Sequence, residues 1–141
     1  MICTFFGHHD CPDAIKPELE RAIQMQIEKG TKQFYVGNHG RFDAMVLSCL
    51  RSLKQQYPDL YYAVVLAYFP VENNPYRPEE TVFPTGIENV PRRFAIDYRN
   101  RWMLDQADTV ISYCNRSSGG AAKYVQKAEK KGITVINLYK R

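Results

Sequence analysis

Tyr61-Tyr62-Ala63-Val64-Val65-Leu66-Ala67-Tyr68-Phe69 is the stretch that decides the fold. Its centre, Ala63 to Ala67, is apolar at every position. A strand of that kind needs cover on both faces, which is the situation inside a parallel sheet flanked by helices. Upstream, Pro58 stops a helical pattern over about Phe42 to Gln56, with Met45, Val46, Cys49, Leu50 and Leu53 on one face. Before it, Gln33 to Val36 reads as a strand closed by Gly37. A helix starting at Pro17 carries Leu19, Ala22, Ile23 and Ile27 on one side and ends at Gly30. Ile2 to Phe6 is the opening strand, stopped by Gly7.

Downstream, residues 70–91 hold five prolines and read as a long connection with a short strand near Val82 and Phe83. A helix follows over about Arg92 to Gln106, with Phe94, Tyr98, Trp102 and Met103 or Leu104 as its apolar side. Thr109 to Tyr113 is the next strand and Asn115 to Gly120 a polar loop. A helix over Ala121 to Lys131 ends at Gly132, and Thr134 to Leu138 is the last strand. Strands alternating with helices imply right-handed crossovers and an α/β fold with a five-stranded, mainly parallel sheet. No repeat or second domain interrupts residues 1–141, so one domain is expected.

Composition narrows the function classes. Hydrophobic residues make up 45% and charged residues 24%, which fits an ordered globular chain rather than a disordered one. No apolar run approaches the roughly 18–20 residues that span a bilayer, and no charged-then-apolar leader opens the sequence. The expected location is the cytoplasm, with no membrane partner. Cys3, Cys11, Cys49 and Cys114 form no C-x-x-C pair and are expected as reduced thiols. The net charge of +4 conceals an asymmetry. Residues 1–91 carry 8 basic and 11 acidic side chains, a net of −3; residues 92–141 carry 11 and 4, a net of +7. The basic third favours an anionic ligand or nucleic acid, although Lys123, Lys127, Lys130 and Lys131 read as a solvated helix face.

Ligands of open parallel sheets bind beyond the carboxyl ends of the strands, where strand order reverses. Three strand-to-helix turns carry suitable residues. They are Gly7-His8-His9-Asp10-Cys11, Gly37-Asn38-His39-Gly40-Arg41-Phe42-Asp43 and Asn115-Arg116-Ser117-Ser118-Gly119-Gly120. Glycine lets backbone approach a ligand, and a helix start offers N–H groups and positive dipole to phosphate.

On these pieces the chain resembles the SLOG superfamily of Rossmann-like nucleotide-binding proteins, in its YpsA-like branch. The matching segments are Phe5-Phe6-Gly7-His8, Gly37 to Asp43, Tyr98-Arg99-Asn100-Arg101-Trp102-Met103, Ala107-Asp108-Thr109-Val110-Ile111 and Gly119-Gly120-Ala121. The resemblance implies a Rossmann-like three-layer sandwich with strand order 3-2-1-4-5. It also implies a nucleotide-derived ligand, ADP-ribose-like, over strands 1 and 4. The same superfamily contains the LOG phosphoribohydrolases, whose R-K-x-x-M and P-G-G-x-G-T-x-x-E motifs supply a catalytic Arg and Glu. Laid on this chain, the Arg falls on Arg99, but the Glu falls on Gln126. An amide cannot stabilise oxocarbenium character or activate water. His9 stands where many YpsA-like sequences have Arg, and Asn38-His39 where relatives often have Gly-Gly.

The ligand-binding residues expected are therefore Gly7, His8, His9, Gly37, Asn38, Asp43, Arg99, Asn100, Ser117, Ser118, Gly119 and Gly120. Arg99 is expected to clamp phosphate bidentately. Asp43 is expected either to cap its helix or to hold a ribose hydroxyl. Asp108 is expected in a turn. Tyr68, Phe69, Tyr76 and Phe83 are candidates for stacking on a base or for the core. Cys114 with His8 as base would make a nucleophile pair, but an inert thiol is the simpler reading. No metal-ligand spacing is present, so no metal and no cofactor are expected, and no catalytic group is assigned.

The expected function is binding a nucleotide-derived phosphorylated small molecule without chemistry. The alternative is an N-glycosidase-like enzyme using Glu88 or Asp43. Single-stranded nucleic acid is the less favoured partner, suggested by the DNA-binding DprA-type proteins of the same superfamily. Tyr57, Tyr61, Tyr62 and Trp102 are candidate contacts for a homodimer or higher homo-oligomer, a state the sequence does not decide.

Overall fold

The computed structural model describes residues 1–71 and 73–139. Six strands make one parallel sheet: β1 (Ile2–Gly7), β2 (Gln33–Val36), β3 (Tyr61–Val65), β4 (Thr81–Val82), β5 (Thr109–Tyr113) and β6 (Thr134–Asn137). Their spatial order is β4-β3-β2-β1-β5-β6. Four helices connect them: α1 (Lys16–Glu28), α2 (Gly40–Gln56), α3 (Ala95–Gln106) and α4 (Gly120–Lys130).

The α/β three-layer reading holds, with one correction: the sheet has six strands rather than five. The addition is the short edge strand β4, which pairs with β3 through Val64↔Thr81 and Val65↔Val82. The Leu66 N–H donates to the Val82 carbonyl at 2.9 Å and prolongs that pairing. β4 falls one residue ahead of the short strand expected near Val82 and Phe83, which the five-strand count leaves outside the sheet. It is the parallel edge offered by β3 that orders the two residues of β4.

The pleat divides the core. Cys3, Phe5, Phe34, Val36 and Val64 point toward α1 and α2. Phe6, Val65 and Val110 point toward α3 and α4, where they meet Met103, Leu104, Tyr124 and Val125. Every residue of β5 is buried, as a strand covered on both faces must be. Asp108 fixes its start. Its carboxylate accepts the Ile2 N–H at 2.8 Å, and its own N–H donates to the Ile2 carbonyl at 2.8 Å.

The face of α3 differs from the expected one. Ala95, Arg99, Met103 and Leu104 are buried, while Phe94 is exposed and Tyr98 and Trp102 are half-buried. The buried stripe is thus turned so that an arginine sits in it. Phe94 belongs to a separate 3-10 turn, Arg92–Phe94, before the α-helix.

The connection from β3 to β4 is anchored by a group that the sequence reading missed. Glu80, 3% exposed, accepts two hydrogen bonds from Arg51 of α2, at 2.7 and 2.9 Å. It also accepts the Tyr62 hydroxyl at 2.8 Å and the Arg77 N–H at 2.9 Å. These donors pull its carboxyl down to about 2. No helix among the described residues is long and apolar enough to cross a membrane.

Candidate functional site at the carboxyl edge

All the strands run parallel, so the turns after β1, β2 and β5 meet at one edge. Strand order reverses there: β1 pairs with β2 on one side and β5 on the other. The sequence grouped three glycine-bearing turns as equals, but the structure uses them differently.

The turn after β2 is closed by a hub around Arg99, which is 2% exposed. Its Nε donates to Asn100 Oδ1 at 2.7 Å. Nη1 donates to the Val65 carbonyl at 2.9 Å and to Asn38 Oδ1 at 3.2 Å. Nη2 donates to His39 Nδ1 at 3.1 Å. An arginine has five N–H groups, and four are thereby committed within the protein. The guanidinium therefore holds the end of β3 to the start of α2, and it has no free fork for bidentate phosphate. Since Arg99 can only donate, His39 accepts through Nδ1. Burial and the neighbouring guanidinium both hold its imidazole below the ordinary range.

Asp43 faces the same hub. Its Oδ2 accepts the N–H of His39, the residue that caps α2, at 3.0 Å. Desolvation outweighs that bond and the nearby Arg99 charge, and pushes the carboxyl up to about 6. A Cβ on Gly37 would lie 2.9 Å from Arg99 Nη1 and 3.0 Å from Asp43 Oδ2. Gly37 is thus a seat for that charge pair rather than an approach for ligand.

The turn after β1 is also filled. A Cβ on Gly7 would fall 2.2 Å from the Phe42 ring. The His9 carbonyl accepts the Arg41 N–H at 2.9 Å, so the first turn lies across the start of α2. His8 is buried, and its Nε2 accepts the Asn115 N–H at 3.0 Å. Asp10 pairs with Arg116 at 2.8 Å. These two contacts latch the β1–α1 turn to the β5–α4 loop.

Of the three turns, the one before α4 is open at its glycines. A Cβ on Gly119 or Gly120 would meet nothing within 4 Å, and no side chain caps this helix. Gly119 has φ +102°, a backbone shape that favours glycine. Beside it Asp97 gathers Arg101 at 3.1 Å, Lys123 at 2.9 Å and the Tyr124 hydroxyl. A cleft of about 120 Å³ runs between Gly120 and the hub, with Gly7, His39, Asp43, Ile96 and Arg99 in its walls. Next to it lies a wider groove of about 590 Å³ formed by residues 67–69 and 83–95. Neighbouring residues at the start of α3 line the two, Ala95 the groove and Ile96 the cleft. The Tyr68 ring also stands edge-on to His39, centroids 6.3 Å apart.

No family model matches the chain, and no curated protein matches it in sequence. A solved structure does match in shape: DNA processing protein A (DprA) from Streptococcus pneumoniae, at TM-score 0.69 and 17% identity. The superposition covers 94% of this chain and 48% of the DprA chain, so this protein spans about half of that one. The fold is DprA-like.

On this DprA-like frame the remaining candidates fall as follows. Ser117 and Ser118 are exposed in the β5–α4 loop. Gln126 is exposed and donates from Nε2 to the Ser117 carbonyl at 3.2 Å. Cys114 cannot use His8 as a base, because Nε2 of His8 is engaged by Asn115. The Cys114 thiol rests on the Arg116 carbonyl at 3.2 Å. Tyr76 packs against the core near α2, whereas Tyr68, Phe69 and Phe83 line the groove. Glu88 is in the groove wall rather than in the cleft. Among the described residues, no three His, Cys, Asp or Glu side chains group as metal ligands.

Proposed function

We propose that this protein binds a phosphorylated nucleotide-type small molecule at the carboxyl edge of its sheet and holds it without chemical change. The anionic group lies at the Gly119–Gly120 opening of α4, where unpaired backbone N–H groups and the positive helix end favour it. Arg99 contributes charge and rigidity from beneath, with one N–H left to give. An ADP-ribose-like ligand, and membership of the YpsA-like branch of the SLOG proteins, belong to this reading.

One observation carries it: the open, uncapped start of α4. It borders a small cleft of mixed polar and apolar lining, and a separate apolar groove lies beyond the start of α3. These surfaces suit a molecule that is charged at one end and flat and apolar at the other. Hydrolysis of an N-glycosidic bond is the second reading, favoured by Asp43, whose carboxyl at about 6 is suited to general-acid work.

A thermal-stability screen across phosphorylated nucleosides, dinucleotides and ADP-ribose forms tests the proposal. A ligand at ~100 times its Kd adds about 2.7 kcal/mol, roughly an 8 °C rise in Tm for a domain of this size. Chromatography of each hit after incubation then separates the two readings, since a binder returns its ligand intact. A flat screen removes both.

A further inference from the structure

We propose that the groove between residues 67–69 and 83–95 is a base-recognition subsite, and that it takes a heteroaromatic ring bearing an exocyclic amino group. This deepens the binding reading above and rests on it for the position of the phosphate.

The argument begins with two rings left in water. Phe69 is 75% and Phe83 41% exposed, and they stand edge to face with centroids 6.0 Å apart at the groove mouth. Apolar surface of this size is costly to leave wet, at about 25 cal/mol per Å². The opposite wall is already organised for stacking. The Arg92 guanidinium lies 4.4 Å above the Tyr68 ring, and the Tyr68 hydroxyl donates to the Arg92 carbonyl at 3.2 Å. A second closure holds the loop that brings Ile87 and Glu88 into the wall: the Tyr98 hydroxyl of α3 donates to the Thr85 carbonyl. The groove is therefore a shaped surface rather than a slack loop.

Two charges select the occupant. Arg92 has its guanidinium on an aromatic face, and Glu88 has no hydrogen bond or ion pair among the described residues. A lipid tail or an aliphatic peptide side chain would leave both facing apolar atoms. A flat heteroaromatic ring continues the Tyr68–Arg92 stack, and an amino group on its edge satisfies Glu88, which as a carboxylate can only accept. The groove and the cleft beside α4 are lined by neighbouring residues at the start of α3, Ala95 in the groove and Ile96 in the cleft. The proposal places the ring in the groove and the phosphate of the same molecule at the start of α4.

Calorimetric titration with four probes tests this: AMP, purine riboside 5′-monophosphate (the same molecule without the amino group), ribose 5-phosphate and adenosine. The variants are Phe83→Ala and Glu88→Gln in the groove and Gly120→Asp at the helix start. All three alter exposed side chains or open backbone, and unchanged melting checks that each folds. AMP should bind about tenfold or more tighter than ribose 5-phosphate, and Phe83→Ala should remove that advantage. Glu88→Gln, which keeps an acceptor but loses the charge, should reduce the preference for AMP over purine riboside monophosphate. If AMP binding is lost in Gly120→Asp yet unmoved by both groove variants, the base lies elsewhere: the subsite is wrong and the phosphate reading stands. If adenosine binds, is weakened by Phe83→Ala and ignores Gly120→Asp, the subsite stands and the phosphate reading fails. If Phe83→Ala instead disperses a self-associated species in sedimentation, a second copy of the chain covers the groove and the inference is overturned. Absence of binding by every probe overturns both.

Discussion

The start of α2 and the start of α4 are both glycine-bearing turns on the same edge of one sheet, yet the protein occupies the first and leaves the second empty. At α2, His9 lies against Gly40, Asp43 takes the His39 N–H and the Arg99 guanidinium sits over Gly37. At α4, the space above Gly119 and Gly120 is open. The residue composition of the two turns does not separate them; their neighbours do. The α2 turn is enclosed by the β1–α1 turn and by α3, so its glycines make room for protein. The α4 turn follows the last buried residue of β5 and opens outward, so its glycines make room for something else.

The sharpest way to break this comparison is to empty the closed side. Arg99→Ala removes donors from Val65, Asn38, Asn100 and His39 together and leaves the Asp43 carboxylate without its nearby cation. Stripping one member from a buried polar network of this kind costs about 3–5 kcal/mol. Urea unfolding should show a fall of that size, with Arg99→Lys intermediate because it keeps the charge but not the fork. A loss of less than ~1 kcal/mol would mean that the hub does not hold the edge together.

A matched pair of alanines addresses both helix starts at once. Gly40 has φ +91°, and a Cβ there would lie 2.4 Å from His9 Cβ and 2.5 Å from its Cα. Backbone cannot swing away as a side-chain tip can, so strain and clash together should cost about 2–3 kcal/mol. Gly120→Ala meets nothing and replaces glycine with a better helix former, so stability should move by less than ~0.5 kcal/mol. Equal Tm losses for the two variants would erase the distinction between a filled and an open turn.

How far the sequence shows this depends on what kind of neighbour decides the matter. β5 and the buried face of α2 were legible because burial writes itself into residue type, over a whole short run in a strand covered on both faces and on a fixed period in a helix. The face of α3 was not. Reading Phe94, Tyr98 and Trp102 as its apolar side is sound by residue type, but the buried stripe runs Ala95–Arg99–Met103. An arginine goes inside only because Val65, Asn38, Asn100 and His39 supply acceptors, and three of those four come from other elements. Such a cost is offset by partners that no local pattern reports. The same holds for Glu80. In sequence it is one of two adjacent glutamates in a proline-rich connection; in the fold it is the buried anchor of that connection on Arg51. The candidate site was legible as an edge and as a set of turns. Which turns are filled was not, because filling is decided by contacts distant in the chain.

The smallest effect concerns charge, and it separates the hub carboxylate from the anchor carboxylate by the sign of their pH dependence. Asp43 is pushed up from 3.8 to about 6 in the folded protein. The native state therefore holds a proton that the unfolded chain has released, and stability falls as pH rises from about 4 through 6. Glu80 is pulled down from 4.5 to about 2, so its contribution is present above about 4.5 and is lost as pH falls toward 2. Asp43→Asn keeps an acceptor for the His39 N–H and cannot ionise. Across pH 4 to 6 it should remove a decline of about 1–2 kcal/mol, a size that allows for screening of a half-buried group. Denaturant midpoints read at closely spaced pH values would show this as a flattened curve, with the loss toward pH 2 retained because Glu80 is untouched. If wild type and variant run parallel through pH 4 to 6, Asp43 does not carry the strained charge of the closed edge. The contrast with the open edge would then rest on shape alone.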